Sequence, residues 1–306
     1  MACTCGHTIR LSETGDRKAS RELSQQIRNA RNPAERDLLK SQRAILDSEI
    51  KTTKVFRSSV EDARRSIVSN LRSVEGQLPN LPRDTIRRII RGSGLDQAML
   101  ATVETGVSSM LPPVYQGISA GVGDLDELMT LQIEAVDYTE TQVLVGDTIG
   151  SLFEDKVLPT FEGTINAHVA NADLTGDIAE AVNNIDAQLA QNITTLATEA
   201  RTKASALSRA ATQMSARLAG LTSQLYSGVV DGLTRPFCRE IVGIVFTEEQ
   251  ITQLDNNQNL PAAIYGGGYN CRHGWAPISE GMIERLGKPR ATKTMIKDAN
   301  RAARKK

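Results

Sequence analysis

Two cysteines and a histidine near the carboxyl end are the residues best suited to chemistry. Cys238 is separated from Cys271 by 32 residues, and His273 follows Cys271 after a single residue. Thiolate and imidazole groups bind zinc, although a structural zinc ion usually takes four ligands at wider spacings. Three interpretations stay open: a zinc site, a Cys238–Cys271 disulfide formed after release from the cell, and plain buried thiols. We expect the thiols and no cofactor, with zinc as the alternative.

The amino terminus holds a second group of metal-binding residue types. Cys3 and Cys5 are one residue apart and His7 follows, so these residues could share a soft metal. They could also complete a site at Cys238 and Cys271 if the terminus folds back. We expect a flexible terminus over residues 1–18 that binds no metal.

The same residues do not indicate an enzyme. A nucleophilic cysteine paired with His273 would need an orienting third group and an oxyanion hole, and the spacing identifies neither. The glycines Gly266–Gly268 lack the following G-K-[ST] of a phosphate loop and predict a tight turn. We therefore expect a protein without enzymatic activity.

The aromatic residues are concentrated around these cysteines. Six of the eleven lie between Tyr226 and Trp275. Because aromatic side chains bury the most surface per residue, this stretch predicts a small separate core. We expect a compact mixed α/β module over 228–282, with four aromatic residues in its core: Phe237, Phe246, Tyr269 and Trp275.

Long helices are predicted for the first half of the chain. Apolar residues from Phe56 to Leu78 recur at steps of three and four, which indicates one long helix from about Ala34, after a shorter one that Pro33 interrupts. Further helices are expected over Thr85–Arg91 and 97–110. The second of these should stop before two consecutive prolines and a glycine-bearing loop. Another helix should run from Asp124 towards Val169, with a bend near Pro159.

The strongest periodic signal begins at Val182 and predicts a coiled-coil-like helix. Its partner could be the earlier helix of Phe56–Leu78 or a second copy of the chain. The predicted fold class is therefore mainly α, an elongated bundle of long helices with the small C-terminal mixed module. The apolar seam comprises Val182, Ile185, Leu189, Ile193, Leu196, Ala200, Ala204, Leu207, Ala211, Met214, Leu218, Leu221 and Leu225.

Charge is segregated along a chain whose net charge is zero. Residues 1–91 carry 19 basic and 11 acidic groups, whereas residues 92–200 carry one basic and 17 acidic groups. The tail from Ile283 carries nine basic and two acidic groups. The basic first third could dock on the acidic middle, or both could bind partners. The predicted regions are 1–18, a basic helical region 19–123, an acidic and coiled-coil-like region 124–227, the module 228–282 and a basic tail 283–306.

Two basic clusters could contact DNA or an acidic partner. For the first cluster an acidic protein is favoured over nucleic acid, because no aromatic residue interleaves the arginines. For the tail, contact with a phosphate backbone needs only such cations. The clusters are Arg83, Arg87, Arg88 and Arg91, and Lys293, Lys297, Arg301, Arg304, Lys305 and Lys306.

The carboxyl-terminal stretch resembles a known family. Thr234–Thr247 (T-R-P-F-C-R-E-I-V-G-I-V-F-T) and Asn270–Pro277 (N-C-R-H-G-W-A-P) look like the two signature halves of the C-terminal module in minor head proteins of tailed phages, the phage Mu F-type head morphogenesis family. That family often carries C-x-x-C in the first half and C-R-C in the second. Here Cys238 stands alone, and the second half reads Cys271-Arg272-His273.

The resemblance implies a function in the virion. It implies a structural minor head protein, present in several copies, that contacts portal or capsid proteins and acts in head assembly, DNA packaging or DNA retention and delivery. With no apolar run long enough to span a membrane and no secretion signal, we expect synthesis in the host cytoplasm and incorporation into the head. The alternative is a cytoplasmic coiled-coil protein that binds nucleic acid and carries a small metal module.

Overall fold

Long helices make up most of the chain, as predicted. The computed structural model describes residues 13–122, 142–175 and 177–305, and it is 76% helical, with one small antiparallel sheet near the carboxyl end. The predicted metal-binding residue types at Cys3, Cys5 and His7, and the predicted helix start at Asp124, lie outside the described residues.

In the described part of the chain, most of the long helices come first, and three strands and several shorter helices follow in the C-terminal third. The helices are α1 (Glu13–Asn29), α2 (Pro33–Ser73), α3 (Arg83–Arg91), α4 (Leu95–Val122), α5 (142–152), α6 (Leu158–Thr175), α7 (Ile178–Leu218), α8 (Pro236–Ile241), α9 (Glu248–Thr252), α10 (Ala262–Tyr265), α11 (Glu280–Leu286) and α12 (Lys293–Ala303). The strands are β1 (Ser223–Ser227), β2 (Val245–Thr247) and β3 (Gly274–Pro277).

Helix α2 begins at Pro33, close to the predicted start. A proline fits the first position of a helix because its missing N–H would have no intrahelical partner there. The side chain of Asn32 accepts a hydrogen bond of 3.0 Å from the N–H of Ala34 and satisfies one free donor of the first turn. The interruption predicted between α1 and α2 is therefore confirmed.

The prediction that a helix ends before Pro112 is wrong. Helix α4 continues through Pro112 and Pro113 to Val122. Apolar residues are buried at helical spacing on both sides of the prolines, with Met110 and Val114 among them. Burial of this face outweighs the two lost N–H donors.

A π-helical turn lies just before Pro159, where a bend is predicted. Residues Phe153–Val157 form this turn between α5 and α6. Pro159 has no N–H to donate to the carbonyl group four residues earlier, and the wider turn accommodates the missing bond.

Helix α7 ends earlier than the seam predicts. The N–H of Gly220 donates to Arg217 and that of Leu221 donates to Ala216, and Gly220 has a φ of 68°. These bonds form a glycine-terminated C-cap, so the chain leaves the helix after Leu218. The predicted packing of Leu218 is wrong, because that side chain is 45% exposed.

The described residues divide into two compact units, and α2, α4 and α7 each contribute to both. One unit comprises Lys51–Gly106 and Val145–Arg201. Its core contains Phe56 and Ile67 of α2 and Ile185 of α7. Ion pairs join its basic and acidic helices: Arg64 with Asp186, and Arg87 with Glu162 at 2.9 Å. The Arg64–Asp186 ion pair places α2 beside α7 in this unit.

The other unit, the sheet unit, comprises Met1–Ile50, Val107–Leu144 and Thr202–Lys306. Its strand order is β2-β1-β3, antiparallel throughout. One sheet face carries Leu225 and packs with Leu38 of α2. The opposite face carries Tyr226 and packs with α8 and α12.

The region predicted as a basic tail is part of this unit. Helix α12 buries Ile296, Ala299 and Ala302, and two of these lie in the aromatic core with Phe237. The module therefore starts at strand β1 and includes α12, rather than ending at residue 282.

Candidate metal centre

Cys238, Cys271 and His273 meet inside the sheet unit, although 32 residues separate the cysteines. Their side chains are 1%, 3% and 3% exposed. The two Sγ atoms are 3.8 Å apart, and Sγ of Cys271 lies 3.7 Å from Nδ1 of His273. One ligand atom from each residue lies within 4.8 Å of the others. Both cysteines are free thiols.

Tyr226 supplies a fourth polar group that the sequence analysis did not identify. Its hydroxyl oxygen lies 3.4 Å from Sγ of Cys238 and 3.5 Å from Sγ of Cys271. The ring is fully buried and stacks on His273 at 5.6 Å between centroids, with 10° between the planes. Strand β1 fixes it, because Tyr226 pairs with Trp275 of β3.

Local sequence explains how α8 presents Cys238. The helix opens with Pro236 at its first turn after an extended Arg235. Its buried residues are Phe237, Cys238 and Ile241. These residues are one, three and four positions apart, so they lie on one side of the short helix. The thiol of Cys238 therefore faces the sheet together with the other two side chains.

The glycines that precede Cys271 make room for the two sulfurs. The N–H of Gly267 donates to Sγ of Cys271 over 3.2 Å. A Cβ atom at Gly267 would lie only 2.2 Å from Sγ of Cys238. Gly266 has a φ of 54°, in the region that glycine adopts without strain. The tight turn expected here is confirmed, and it surrounds the thiols rather than a phosphate.

Arg209 of α7 fixes the backbone of the loop that carries two of these residues. Its guanidinium donates to the carbonyl oxygens of His273 at 2.6 and 2.9 Å, of Cys271 at 2.6 Å and of Ile264 at 3.1 Å. The side chain is buried. Five N–H donors in one plane suit such a convergence of carbonyl groups, which a lysine could not satisfy.

The hydrogen bond between the two thiols shifts the pKa values of Cys238 and Cys271 in opposite directions. The bond from Cys238 lowers the pKa of Cys271 well below its usual value against the effect of burial, and His273 lowers it further. The same bond, with burial, raises the pKa of Cys238 well above its usual value. Burial raises the pKa of Tyr226, and the two thiols add to this effect. Cys271 is therefore the first of these groups to carry a negative charge.

His273 is held by packing. A Cβ atom at Gly228 would lie 2.6 Å from Cδ2 of the imidazole, so that glycine permits the ring to occupy its position. Nδ1 faces the sulfur of Cys271. Nε2 is buried and makes no hydrogen bond within the described part of the chain.

A buried ion pair anchors the residue between Cys271 and His273. Nη2 of Arg272 lies 2.7 Å from Oδ1 of Asp231, whose side chain is fully buried. Burial alone would raise the pKa of Asp231. Hydrogen bonds from Arg272, Leu233 and Thr234 outweigh it and lower the pKa to about 2.

Three of the four aromatic residues predicted for the module core are there. Phe237, Phe246 and Trp275 are buried together, and Nε1 of Trp275 donates to the carbonyl oxygen of Ala262 over 2.9 Å. The prediction for Tyr269 is wrong, because its side chain is only half-buried. Tyr226 takes that place, with its ring centroid 4.6 Å from that of Trp275.

The basic clusters are exposed on two helices. In α3, Arg87 pairs with Glu162, while Arg83, Arg88 and Arg91 are exposed. In α12 and the residues after it, the exposed cations are Lys293, Lys297, Arg301, Arg304 and Lys305. Lys306 lies outside the described residues.

The chain was compared with protein-family models, curated proteins and solved structures, and no match was found. Among the described residues, no helix combines the length and apolar character needed to cross a membrane.

Tyr226 and Arg209 are the site residues that the sequence analysis missed. The seam pattern continues through Leu225 and hides the start of strand β1. Gly220 is the signal that would have separated helix from strand. Arg209 has no local signal for this role, because the loop carbonyl groups that it binds lie more than fifty residues away.

Proposed function

We propose that the chain is a structural minor head protein of a tailed phage, associated with the portal or inner capsid surface. The observation that supports this is that the two segments resembling the family, Thr234–Thr247 and Asn270–Pro277, fold together. Cys238 of the first packs in one core with Cys271 and Trp275 of the second. The resemblance therefore covers one folded unit rather than two unrelated stretches.

Burial of the reactive groups supports a role without catalysis. The thiols of Cys238 and Cys271 and the imidazole of His273 are each at most 3% exposed. A nucleophile must reach its substrate, and reaching these groups would require opening the aromatic core. Together with Tyr226, these groups instead join strand β1, helix α8 and the loop before β3, which is what a scaffold requires.

The exposed face of α12 is proposed as the contact with packaged DNA. Its basic residues recur at helical spacing opposite the buried Ile296 and Ala299. Arg301 pairs with Asp298 at 3.2 Å and Arg304 with Asp255 at 3.4 Å, both exposed. Such pairs contribute little, so they can give way to phosphates.

The head assignment is tested on purified particles. Virions are treated with nuclease, separated into heads and tails, and analysed by quantitative mass spectrometry with the portal protein as internal reference. We expect several copies of the chain per head and none in free tails. Absence from purified heads would refute the proposal and favour the cytoplasmic nucleic-acid-binding alternative.

The DNA contact is tested separately by charge reversal of Lys293, Lys297, Arg301 and Arg304 to glutamate. Truncation is unsuitable because α12 is part of the core. If these four cations meet phosphates, the slope of log affinity against log salt on duplex DNA should fall in magnitude by about 3–4, with no dependence on sequence. Reversal of Arg83, Arg88 and Arg91 on α3 is the matched control and should leave the slope unchanged. Unaltered binding by the α12 variant would make that face a protein-docking surface.

A further inference from the structure

We infer that Cys238, Cys271, His273 and Tyr226 form a binding site for one zinc ion. Strand β1, helix α8 and the loop before β3 place these side chains together. The inference concerns the stability of the module and does not depend on the partner that the module binds.

Four separations among the ligand atoms fit tetrahedral coordination. Two thiolates at about 2.3 Å from a tetrahedral zinc ion are about 3.8 Å apart, and a thiolate and an imidazole nitrogen are about 3.6 Å apart. The observed separations are 3.8 Å between the sulfurs and 3.7 Å between Cys271 and His273. A phenol oxygen at about 2.0 Å would lie about 3.5 Å from each sulfur, and the Tyr226 oxygen lies at 3.4 and 3.5 Å.

A disulfide or a simple thiol pair explains less of this arrangement. Bonded sulfurs are about 2.05 Å apart, whereas those of Cys238 and Cys271 are 3.8 Å apart. Two thiols in an apolar core also have no need of an imidazole and a phenol beside them. Burying four polar groups together is costly unless something binds them. Two thiolates at these positions would neutralise the charge of a divalent ion bound between them.

The surroundings supply part of the second shell of such a site. The N–H of Gly267 donates to the sulfur of Cys271, as in many thiolate sites. Arg209 fixes the carbonyl groups of Cys271 and His273 and so orients both ligands. With four protein ligands the site is closed, which is typical of structural rather than catalytic zinc.

The test is the metal content of the full chain, purified without chelator. We expect about one zinc ion per chain, and cobalt(II) in its place should give the absorption bands of tetrahedral thiolate coordination. Cys271→Ser should hold less than about a tenth of the zinc. The matched control is the double variant Cys3→Ser/Cys5→Ser, which should keep its metal. Tyr226→Phe should keep zinc but shift the cobalt bands.

Several results would overturn the inference. Fewer than about 0.1 zinc ions per chain, with no cobalt bands in protein whose Trp275 fluorescence shows a folded module, would mean that the thiols are uncoordinated. A Cys238–Cys271 disulfide in freshly isolated protein would replace the metal site. Loss of zinc in the amino-terminal double variant would place the ligands elsewhere. Unchanged cobalt bands in Tyr226→Phe would remove the phenol from the ligand set.

Discussion

Replacing Arg209 by methionine tests whether this side chain holds the loop that carries Cys271 and His273. Methionine keeps much of the apolar length of the side chain but removes all N–H donors. Three loop carbonyl groups, those of Ile264, Cys271 and His273, then lose their hydrogen bonds to the guanidinium.

The expected loss follows from these contacts. A buried polar group left unsatisfied costs about 1–3 kcal/mol, and bonds from a charged donor lie at the upper end. Three such groups give a gross cost of about 3–9 kcal/mol, and water that enters the loop recovers part of it. We expect the free energy of unfolding to fall by about 3–5 kcal/mol, a large share of the 5–15 kcal/mol typical of a domain.

The assay is urea unfolding followed by the fluorescence of Trp275, the one tryptophan of the chain. Trp275 lies in the same core as Cys271, so it reports on this unit. Excess chelator excludes any contribution of bound metal. The matched control is Arg217→Met on the same helix, whose exposed side chain pairs with Glu248 and should cost less than about 1 kcal/mol. Arg209→Lys should give an intermediate loss, because an ammonium group cannot reach all the carbonyl groups.

The reasoning would be refuted if Arg209→Met unfolded within about 1 kcal/mol of the unmodified chain with an unchanged dependence on urea. That result would mean that water replaces the guanidinium at little cost. If Arg217→Met lowered the free energy of unfolding as much as Arg209→Met, the cause would be a general effect on helix α7.

Three further changes test the packing and electrostatics. Leu207→Asp places a charge where the side chain is 2% exposed, and we expect a loss of about 3–5 kcal/mol in urea unfolding followed by circular dichroism. Lowering the pH from about 4 to about 2 should remove about 2 kcal/mol from the free energy of unfolding of the sheet unit, read from Trp275. The folded pKa of Asp231, about 2, lies below its ordinary value of 3.8, so its stabilisation is fully present above the unfolded pKa and is lost as the pH falls through the folded pKa. Gly121→Ala should cost about 1–3 kcal/mol, since its methyl group would lie 1.9 Å from the carbonyl oxygen of Pro277.

Each of these predictions has a matched control. Leu218→Asp, 45% exposed on the same helix as Leu207, should change stability by less than about 0.5 kcal/mol, and an equal loss in both would contradict the assigned burial. Asp231→Asn should reduce the loss of stability between about pH 4 and about pH 2. An unaltered loss would assign this pH dependence to other carboxylates. Gly281→Ala, with nothing within 4 Å of the new methyl, should be neutral or slightly stabilising, so a loss there like that of Gly121→Ala would argue against the clash.

The helical part of the fold could be predicted because its signal is local. The three-and-four spacing from Phe56 to Leu71 records which residues of this part of α2 are buried, and Pro33 marks where the helix begins. The same rule failed at Leu225. That residue lies in strand β1, whose successive side chains point to opposite faces of the sheet, and both faces are buried.

The candidate site was only partly accessible from sequence. Cys238, Cys271 and His273 could be named from residue type, and the resemblance linked the two segments. The position of Tyr226 depends on strand pairing with Trp275, and that of Arg209 on carbonyl groups of a distant loop. Such contacts are set by tertiary packing and leave no pattern in the neighbouring residues. The prolines of α4 failed as a stop signal for the same reason.

The sheet unit is assembled from three separated stretches of chain, and this determines when it can form during synthesis. Leu38 packs with Leu225 and Ile283, so its apolar surface is not buried until the last part of the protein has been synthesised. At roughly 5–20 residues per second, the ribosome leaves Leu38 without these partners for about 12–50 s. The nascent chain therefore depends on its charged helix faces, or on a chaperone, to stay unaggregated until the carboxyl end emerges.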